Sequence, residues 1–264
     1  MTQAMTFPCD LCAESGGIEI EPGIITCGGC GFVYVPERRS AHEIANAWSD
    51  IYRNDSYDPQ WNGVKARLFY AAHNLNSVTG LRGKTLLDIG AGTGDFMRYA
   101  EALGAKTTGL EPYAGNRQHD LSYFTGDTTS APWGIEQMKF DAVTINWTLE
   151  NSGDCIQMLN WARERLAPDG VVQVATGSRI LVPYKKPYSA YFGKLAPDLH
   201  CFRWSYNSLE HAMQQAGLRV VNVNDFEQRD ELVMVAEDGE APDVPHDDPK
   251  KVAEYFREWK RQFP

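Results

Sequence analysis

The run from Leu86 to Phe96, Leu-Leu-Asp-Ile-Gly-Ala-Gly-Thr-Gly-Asp-Phe, constrains this chain more than any other stretch. Leu86, Leu87 and Ile89 form a short apolar strand, and the glycines after it break the pattern before a helix begins near Gly94. Gly90, Gly92 and Gly94 open backbone conformations closed to other residues and let a ligand approach the main chain. A loop between strand and helix also leaves free N–H groups at the helix start, where an anion or polar ligand can sit. The expected class is therefore α/β, with a ligand held at the carboxyl edge of a sheet. A dinucleotide fingerprint, G-x-G-x-x-G, would need its third glycine at position 95, which is Asp95. The acid two positions before the first glycine, Asp88, is the other fixed point of the run.

Further along, Lys106 to Glu111 reads as a second strand ending in an acid, followed by Pro112. Glu111 lies 23 residues beyond Asp88, about where a ribose-binding carboxylate falls after one β-α-β step. Its two oxygens can accept hydrogen bonds from both ribose hydroxyls. Tyr123 to Asp127 is a short third strand, and Phe140 to Asn146 a fourth. Open α/β sheets bind ligands outside the carboxyl ends of their strands, so Asn146, Trp147 and Glu150 are expected to line the cleft. Asp154 caps a helix with Ile156, Leu159 and Leu166 on one face. Pro168-Asp169-Gly170 turns into a fifth strand, Val171 to Ala175, and residues 218–224 and 231–236 supply an antiparallel pair at the sheet's end.

The first eighty residues have a different character. Cys9-x2-Cys12 and Cys27-x2-Cys30 are separated by fourteen residues. Each pair can place two thiolates on one ion, and two pairs complete a tetrahedral S4 site. Residues 1–36 therefore read as a zinc ribbon, with Ile18 to Ile20 and Ile24 to Thr26 as short strands. Four thiolates leave no open position, so the zinc is expected to be structural. Iron in a rubredoxin-like site is the alternative ion. Cys155 and Cys201 lack such spacing and read as ordinary thiols. Residues 37–83 read as a helical lid and linker. One helix is expected after a capping box at Ser40 and Glu43, and a second over 62–75 with Val64, Leu68, Phe69, Ala72 and Leu75 inward.

Taken together, the knuckle, the helices, D-x-G-x-G-x-G, the strand ending in Glu-Pro and the segments FDAVT, LEN and LAPDG resemble the class I S-adenosylmethionine-dependent methyltransferases. The likeness is to bacterial members with an N-terminal zinc ribbon, of the glycan and sugar-nucleotide type. The resemblance implies a Rossmann-like seven-stranded sheet over 84–238. It also implies S-adenosylmethionine held by Asp88, Gly90, Ala91, Gly92, Thr93, Gly94, Glu111, Pro112, Asn146 and Trp147. Asp127 with Thr128 would meet the adenine, while Tyr57, Trp61 and Arg67 would close over the methionine end. Relatives have His after Leu-Glu. Here Asn151 stands there, and a neutral amide is no proton acceptor.

The acceptor side falls to the long insertion 177–204. Arg179, Tyr184, Lys185, Lys186, Tyr188, Tyr191, Arg203 and Trp204 suit a sugar face and an anionic group. His200 is the first expected base and Glu150 the second. Only the last His of the His-Glu-His cluster of sugar C-methyltransferases is present, which leaves transfer to oxygen or nitrogen. The expected reaction is methylation of a glycan-related hydroxyl. A natural-product or amine acceptor, and a catalytically inactive zinc-ribbon binding protein, are the rival readings.

Net charge is −10, from 25 basic and 35 acidic residues, which disfavours nucleic acid as a partner. No apolar run approaches the roughly 18 residues of a membrane span, and the start lacks a signal-peptide pattern, so a cytoplasmic location is expected. Residues 239–264 read as an acidic linker and a final helix with Val252, Tyr255, Phe256 and Trp259 on one stripe. That stripe docks on its own domain or on a second subunit, a homodimer, and the sequence leaves both open.

Overall fold

The computed structural model describes residues 5–53, 62–116, 118–177, 179–184, 186–192, 198–224 and 231–264. Tyr57, Trp61, Ser178 and Lys185 lie outside the described residues. The chain opens with short strands β1 (Met5–Thr6), β2 (Gly17–Glu21), β3 (Ile24–Cys27), β4 (Val33–Tyr34) and β5 (Glu37–Arg38). Helices α1 (Ala41–Arg53) and α2 (Asn62–Thr79) follow. Ser40 caps α1 as expected: its Oγ accepts from the Glu43 N–H, and Glu43 accepts from the Ser40 N–H at 2.9 Å. Helix α2 runs one turn past the expected Leu75 and stops at Gly80, whose φ of 65° suits glycine.

The body then alternates. Strand β6 (Thr85–Ile89), α3 (Asp95–Ala102), β7 (Lys106–Glu111), β8 (Tyr123–Thr125), the single turn α4 (Trp133–Glu136), β9 (Phe140–Asn146), α5 (Cys155–Arg163) and β10 (Leu166–Thr176) come first. After them come β11 (Phe202–Arg203), α6 (Tyr206–Gln215), β12 (Leu218–Val223), β13 (Leu232–Asp238) and α7 (Pro249–Gln262). Seven strands form one sheet in the order β12-β13-β10-β9-β6-β7-β8. The strands from β8 to β10 are parallel, and β13 alone runs against its neighbours β10 and β12. This is the expected Rossmann-like sheet with its terminal antiparallel pair.

Period-two alternation sends neighbouring residues to opposite faces. Leu86 packs with Ala72, Leu75, Phe96 and Ala100 of α2 and α3, while Leu87 and Ile89 pack towards Leu159 and Met213 of α5 and α6. Because both faces are covered, β9 is buried along nearly its whole length, as a central parallel strand must be. Phe69, expected to face inward on α2, is half exposed beside His73 and Tyr99; Ala71 takes its place in the core. Position 69 sits a hundred degrees around the helix from Leu68, off the stripe that meets the sheet.

The N-terminal strands are not sealed off from the body. The N-terminal four-stranded sheet runs β11-β4-β3-β2, so its edge strand comes from residues 202–203 of the late insertion. Helix α7 lies across β2 and β3 and buries Val252, Phe256 and Trp259 in one cluster with Ile24, Val33, Val35, Tyr188 and Tyr191. The final helix thus docks on its own chain. Among the described residues no helix is long and apolar enough to cross a membrane.

Candidate active site

One cavity of about 680 Å³ opens at the carboxyl ends of β6, β7 and β9. Its floor is the glycine loop. Gly90, Gly92 and Gly94 all have positive φ, but they serve different ends. A Cβ on Gly90 would stand 2.3 Å from Thr148 Oγ1, and one on Gly94 2.4 Å from Leu121 Cδ1 and the Tyr123 hydroxyl. Those two glycines allow close packing. A Cβ on Gly92 would meet no atom within 4 Å and would enter the cavity. That position leaves room for a ligand to approach the backbone.

Two carboxylates flank the loop. Glu111, at the end of β7, accepts from the Gly92 N–H at 2.9 Å, the Tyr113 N–H at 3.0 Å and Asn116 Nδ2 at 3.3 Å. A carboxylate offers about four acceptor positions, so capacity is left for a ligand hydroxyl. Burial raises its pKa, against the pull of those bonds. Asp88 is buried beneath and accepts from Thr144 Oγ1 at 2.7 Å and Asn146 Nδ2 at 3.2 Å. Burial pushes its carboxyl up to about 7, opposed by the two hydrogen bonds and reinforced by Glu111.

Ala91, Thr93, Pro112, Asp127, Thr128, Asn146 and Trp147 line the same cavity, as does Arg67. Asp127 also ties its own turn, accepting from the Thr129 and Ser130 N–H groups. Arg67 pairs with Glu231 at 2.7 Å. Of the described residues expected to hold cofactor, Gly94 alone is absent from the lining; it is the N-cap of α3. Trp147 adopts φ 53°, a strained choice for an aromatic residue, and its indole lies against Gly177, where a Cβ would stand 2.9 Å from Nε1.

The other wall holds the candidate bases. Glu150 sits on a single 3-10 turn, Leu149–Asn151, directly after β9. Its Oε1 accepts from Thr176 Oγ1 at 3.0 Å, while its buried Oε2 has no partner among the described residues. Burial pushes the carboxyl up to about 7, against the pull of the nearby Glu150 and Gly177 N–H groups and of Thr176. The Asn151 amide donates to the Trp147 carbonyl at 3.2 Å and leaves a buried Oδ1 without a partner among the described residues. His200 reaches the cavity and meets Trp48 edge-on at 5.7 Å. Burial, aided by the nearby Arg203 cation, pushes its imidazole down to about 4. Phe7, Ile44, Trp48, Val64, Leu68 and Met158 supply an apolar surround. In the sequence Trp48 is only one of several apolar residues at helical spacing after Ser40, and nothing local shows that α1 brings it to the cavity.

The residues expected to bind the acceptor are elsewhere. Arg179, Tyr184, Tyr188, Tyr191, Arg203 and Trp204 do not line this cavity. Tyr184 stacks on Trp259 at 5.5 Å, Tyr191 packs on it at 4.6 Å, and the Tyr188 hydroxyl donates to the Ile20 carbonyl at 3.2 Å. Arg203 is buried in a 2.6 Å ion pair with Asp198 and lies over the Phe192 ring. Trp204 is fully buried against Phe32, and Arg179 is a buried residue whose backbone bridges to Trp204. The apolar stripe of α7 had to be covered, and these aromatics cover it.

Cys9, Cys12, Cys27 and Cys30 converge as expected, with all four sulfurs within 4.8 Å of one another. A tetrahedral zinc with sulfur at about 2.3 Å needs sulfurs about 3.8 Å apart. Two pairs here, Cys9–Cys30 at 3.5 Å and Cys12–Cys27 at 3.3 Å, lie slightly inside that spacing. Burial raises the Cys12 thiol to about 12, and a hydrogen bond with Cys30 lowers Cys9 to about 6. Four thiols so crowded ionise together only against a cation.

A family model described as a methyltransferase domain matches residues 65–223. The chain belongs to the S-adenosylmethionine-dependent methyltransferase family. A ubiquinone biosynthesis O-methyltransferase of Actinobacillus pleuropneumoniae is 31% identical over 155 residues, covering 54% of this chain and 64% of that protein. A demethylmenaquinone methyltransferase of Lactococcus lactis is 27% identical over 146 residues, covering 49% and 57%. The chain thus spans less than two thirds of the length of these curated relatives. A Burkholderia thailandensis 1,6-didemethyltoxoflavin-N1-methyltransferase, solved with S-adenosylhomocysteine, shares the fold: TM-score 0.56, 16% identity, 79% of this chain and 96% of that one. The family's cofactor fits the residues present. Gly92 leaves room for it, Glu111 keeps acceptor capacity for a ribose, and Asp127 and Thr128 stand at the cavity's far side.

Proposed function

We propose that this chain methylates a hydroxyl of a small acceptor, with Glu150 as the proton acceptor. Bound S-adenosylmethionine would supply the methyl as an electrophile on a sulfonium sulfur. The chain's own work is then alignment and proton removal. The observation that carries the reading is Glu150: a buried carboxylate in the cavity wall, one oxygen held by Thr176, the other without a geometric hydrogen-bond partner among the described residues, and a carboxyl that burial pushes up to about 7. His200, the first choice from sequence, faces the same space but holds a proton weakly.

The apolar surround of Ile44, Trp48, Leu68 and Met158 favours a hydroxylated ring with an apolar body. The relatives named for ubiquinone biosynthesis O-methylation support the same direction. A glycan acceptor, the expectation from sequence, has less support, since Tyr184, Tyr188 and Tyr191 are engaged beneath α7, Arg203 pairs with Asp198 and Trp204 is buried against Phe32. The four-cysteine cluster we assign to structural zinc, because four sulfurs within 4.8 Å of one another can surround one ion and leave no open position. Methyl transfer from labelled cofactor to matched panels of phenolic compounds and nucleotide-sugars tests the acceptor. Label in the phenolic panel alone supports the reading, and label in nucleotide-sugars alone overturns it. S-adenosylhomocysteine should raise the melting temperature, and Glu111→Ala should remove most of that shift.

A further inference from the structure

Arg38 is 2% exposed and belongs to neither the glycine loop nor the cysteine knuckle, yet it touches the surroundings of both. Its Nη1 donates to Asp10 Oδ1 at 2.9 Å and to the Gly153 carbonyl at 2.8 Å, and its Nε donates to the Val35 carbonyl at 2.8 Å. Asp10 lies inside the first knuckle, between Cys9 and Cys12. Gly153 lines the cavity two residues beyond Asn151. The guanidinium also lies over the rings of Phe202, at 4.6 Å, and Phe7, at 5.0 Å. Phe202 is the strand residue two places after His200, and Phe7 lines the cavity.

We infer that Arg38 is a positioning residue that ties the cysteine knuckle to the turn carrying Glu150 and Asn151. A buried guanidinium with its donors committed in three directions fixes the groups it joins, because each lost bond would leave a buried polar atom unpaired. The turn needs such a hold. Among the described residues, its own main-chain bonds are the Asn151 N–H to Thr148 at 2.9 Å and the Ser152 N–H to Leu149 at 3.2 Å. A 3-10 turn this short is a weak element on its own. The knuckle is then not a remote appendage: beside the packing it shares with Leu149 in one core cluster, its order reaches the acceptor wall through this side chain. The bearing of this on catalysis rests on the role proposed for Glu150, but the link itself does not.

Hydrogen exchange on the full chain as purified tests the link without any acceptor, so its failure is distinguishable from failure of the Glu150 reading. Arg38→Lys keeps a cation opposite Asp10 but loses the planar fork that reaches Gly153. It should melt within a few degrees of wild type while the Asn151 and Ser152 amides exchange about tenfold faster or more. Amides of β6 and α3, and affinity for S-adenosylhomocysteine, should be unchanged. Stripping metal from the wild type with a chelator should speed the same two amides, and stripping it from Arg38→Lys should add several-fold less at them. The inference is overturned if Arg38→Lys leaves both amides at wild-type protection. It is equally overturned if they speed up only together with β6 and α3, or if chelation acts on them in full in the lysine variant.

Discussion

Two buried carboxylates face the cavity from opposite walls, and they differ in one respect. Asp88, under the glycine loop, accepts from Thr144 and Asn146, side chains that β9 places beside β6. Glu150, on the turn after β9, has one oxygen held by Thr176 and one without a partner among the described residues. Burial raises both to about 7. Equal pKa values therefore do not mean equal roles. Asp88 is a braced acid that shapes the loop above it, whereas Glu150, in the cavity wall, keeps one buried oxygen without a geometric hydrogen-bond partner among the described residues. A buried polar atom with no partner costs folding energy, and such a cost is a reason to look for a ligand.

The sharpest way to break this comparison is Glu150→Gln. The amide keeps the shape and can still accept from Thr176, but it cannot take a proton. Methyl transfer to a hydroxyl acceptor should fall by about 10²–10⁴-fold, the usual worth of a general base, while calorimetric affinity for S-adenosylhomocysteine stays within a few-fold. If turnover survives the change, Glu150 is only a second Asp88.

The matching change on the other wall, Asp88→Asn, should act on stability. An acid whose pKa is raised by folding stabilises the fold at low pH and loses that contribution as pH rises. Unfolded, Asp88 ionises near 3.9; folded, near 7. Wild-type stability should thus decline between about pH 4 and pH 7 on its account, by at most about 4 kcal/mol for three pH units. The amide of the variant has no charge to bury and can still accept from Thr144. Urea unfolding of the ligand-free protein should show the variant gaining on wild type at pH 8 and not at pH 4.5. A variant that loses stability at both pH values would show that Asp88 is wanted as an anion even without ligand.

The two walls also differ in how well they can be read from sequence, for the same physical reason. Asp88, the glycines and Glu111 belong to contiguous strand-loop-helix units, where local geometry dictates both residue type and place. The opposite wall is assembled from Phe7, Trp48, Glu150, Met158 and His200, which no local rule joins. Glu150 was legible because it follows a strand whose carboxyl end is fixed. Trp48 was not, since its helical spacing is satisfied equally by plain packing. The insertion shows the opposite failure: Tyr184, Tyr188 and Tyr191 carry a composition that fits a sugar, but composition is blind to α7, 60 to 75 residues later, whose aromatic stripe claims them. Arg38 gave no signal at all, because one of two adjacent arginines just before a helix looks like a surface charge until Asp10 and Gly153 close on it.

The smallest expected effect is the one that decides between the two bases. His200 lies within the cavity wall, and sequence reasoning placed it first because imidazole ordinarily titrates near neutrality. Here burial and Arg203 hold it near 4, so it is neutral at pH 7 and a poor home for a proton. Its Nδ1 stands 3.8 Å from Asp198 Oδ1, too far for the hydrogen bond that would orient the ring and stabilise its cation. Asp198 is itself committed to Arg203. His200→Ala should therefore cost less than about tenfold in turnover, mostly through lost contact with Trp48 and the acceptor. The pH profile gives the same answer independently. A base that ionises near 7 must lose its proton before it can act, so turnover should climb from pH 6 to pH 8 and then level. A base near 4 would already be free across that range and would leave the profile flat. Wild type and His200→Ala should share the rising limb, with a midpoint near 7 in both. If the limb is missing from wild type, or disappears with the alanine variant while Glu150→Gln remains active, the proton goes to His200 and the assignment of the two walls is reversed.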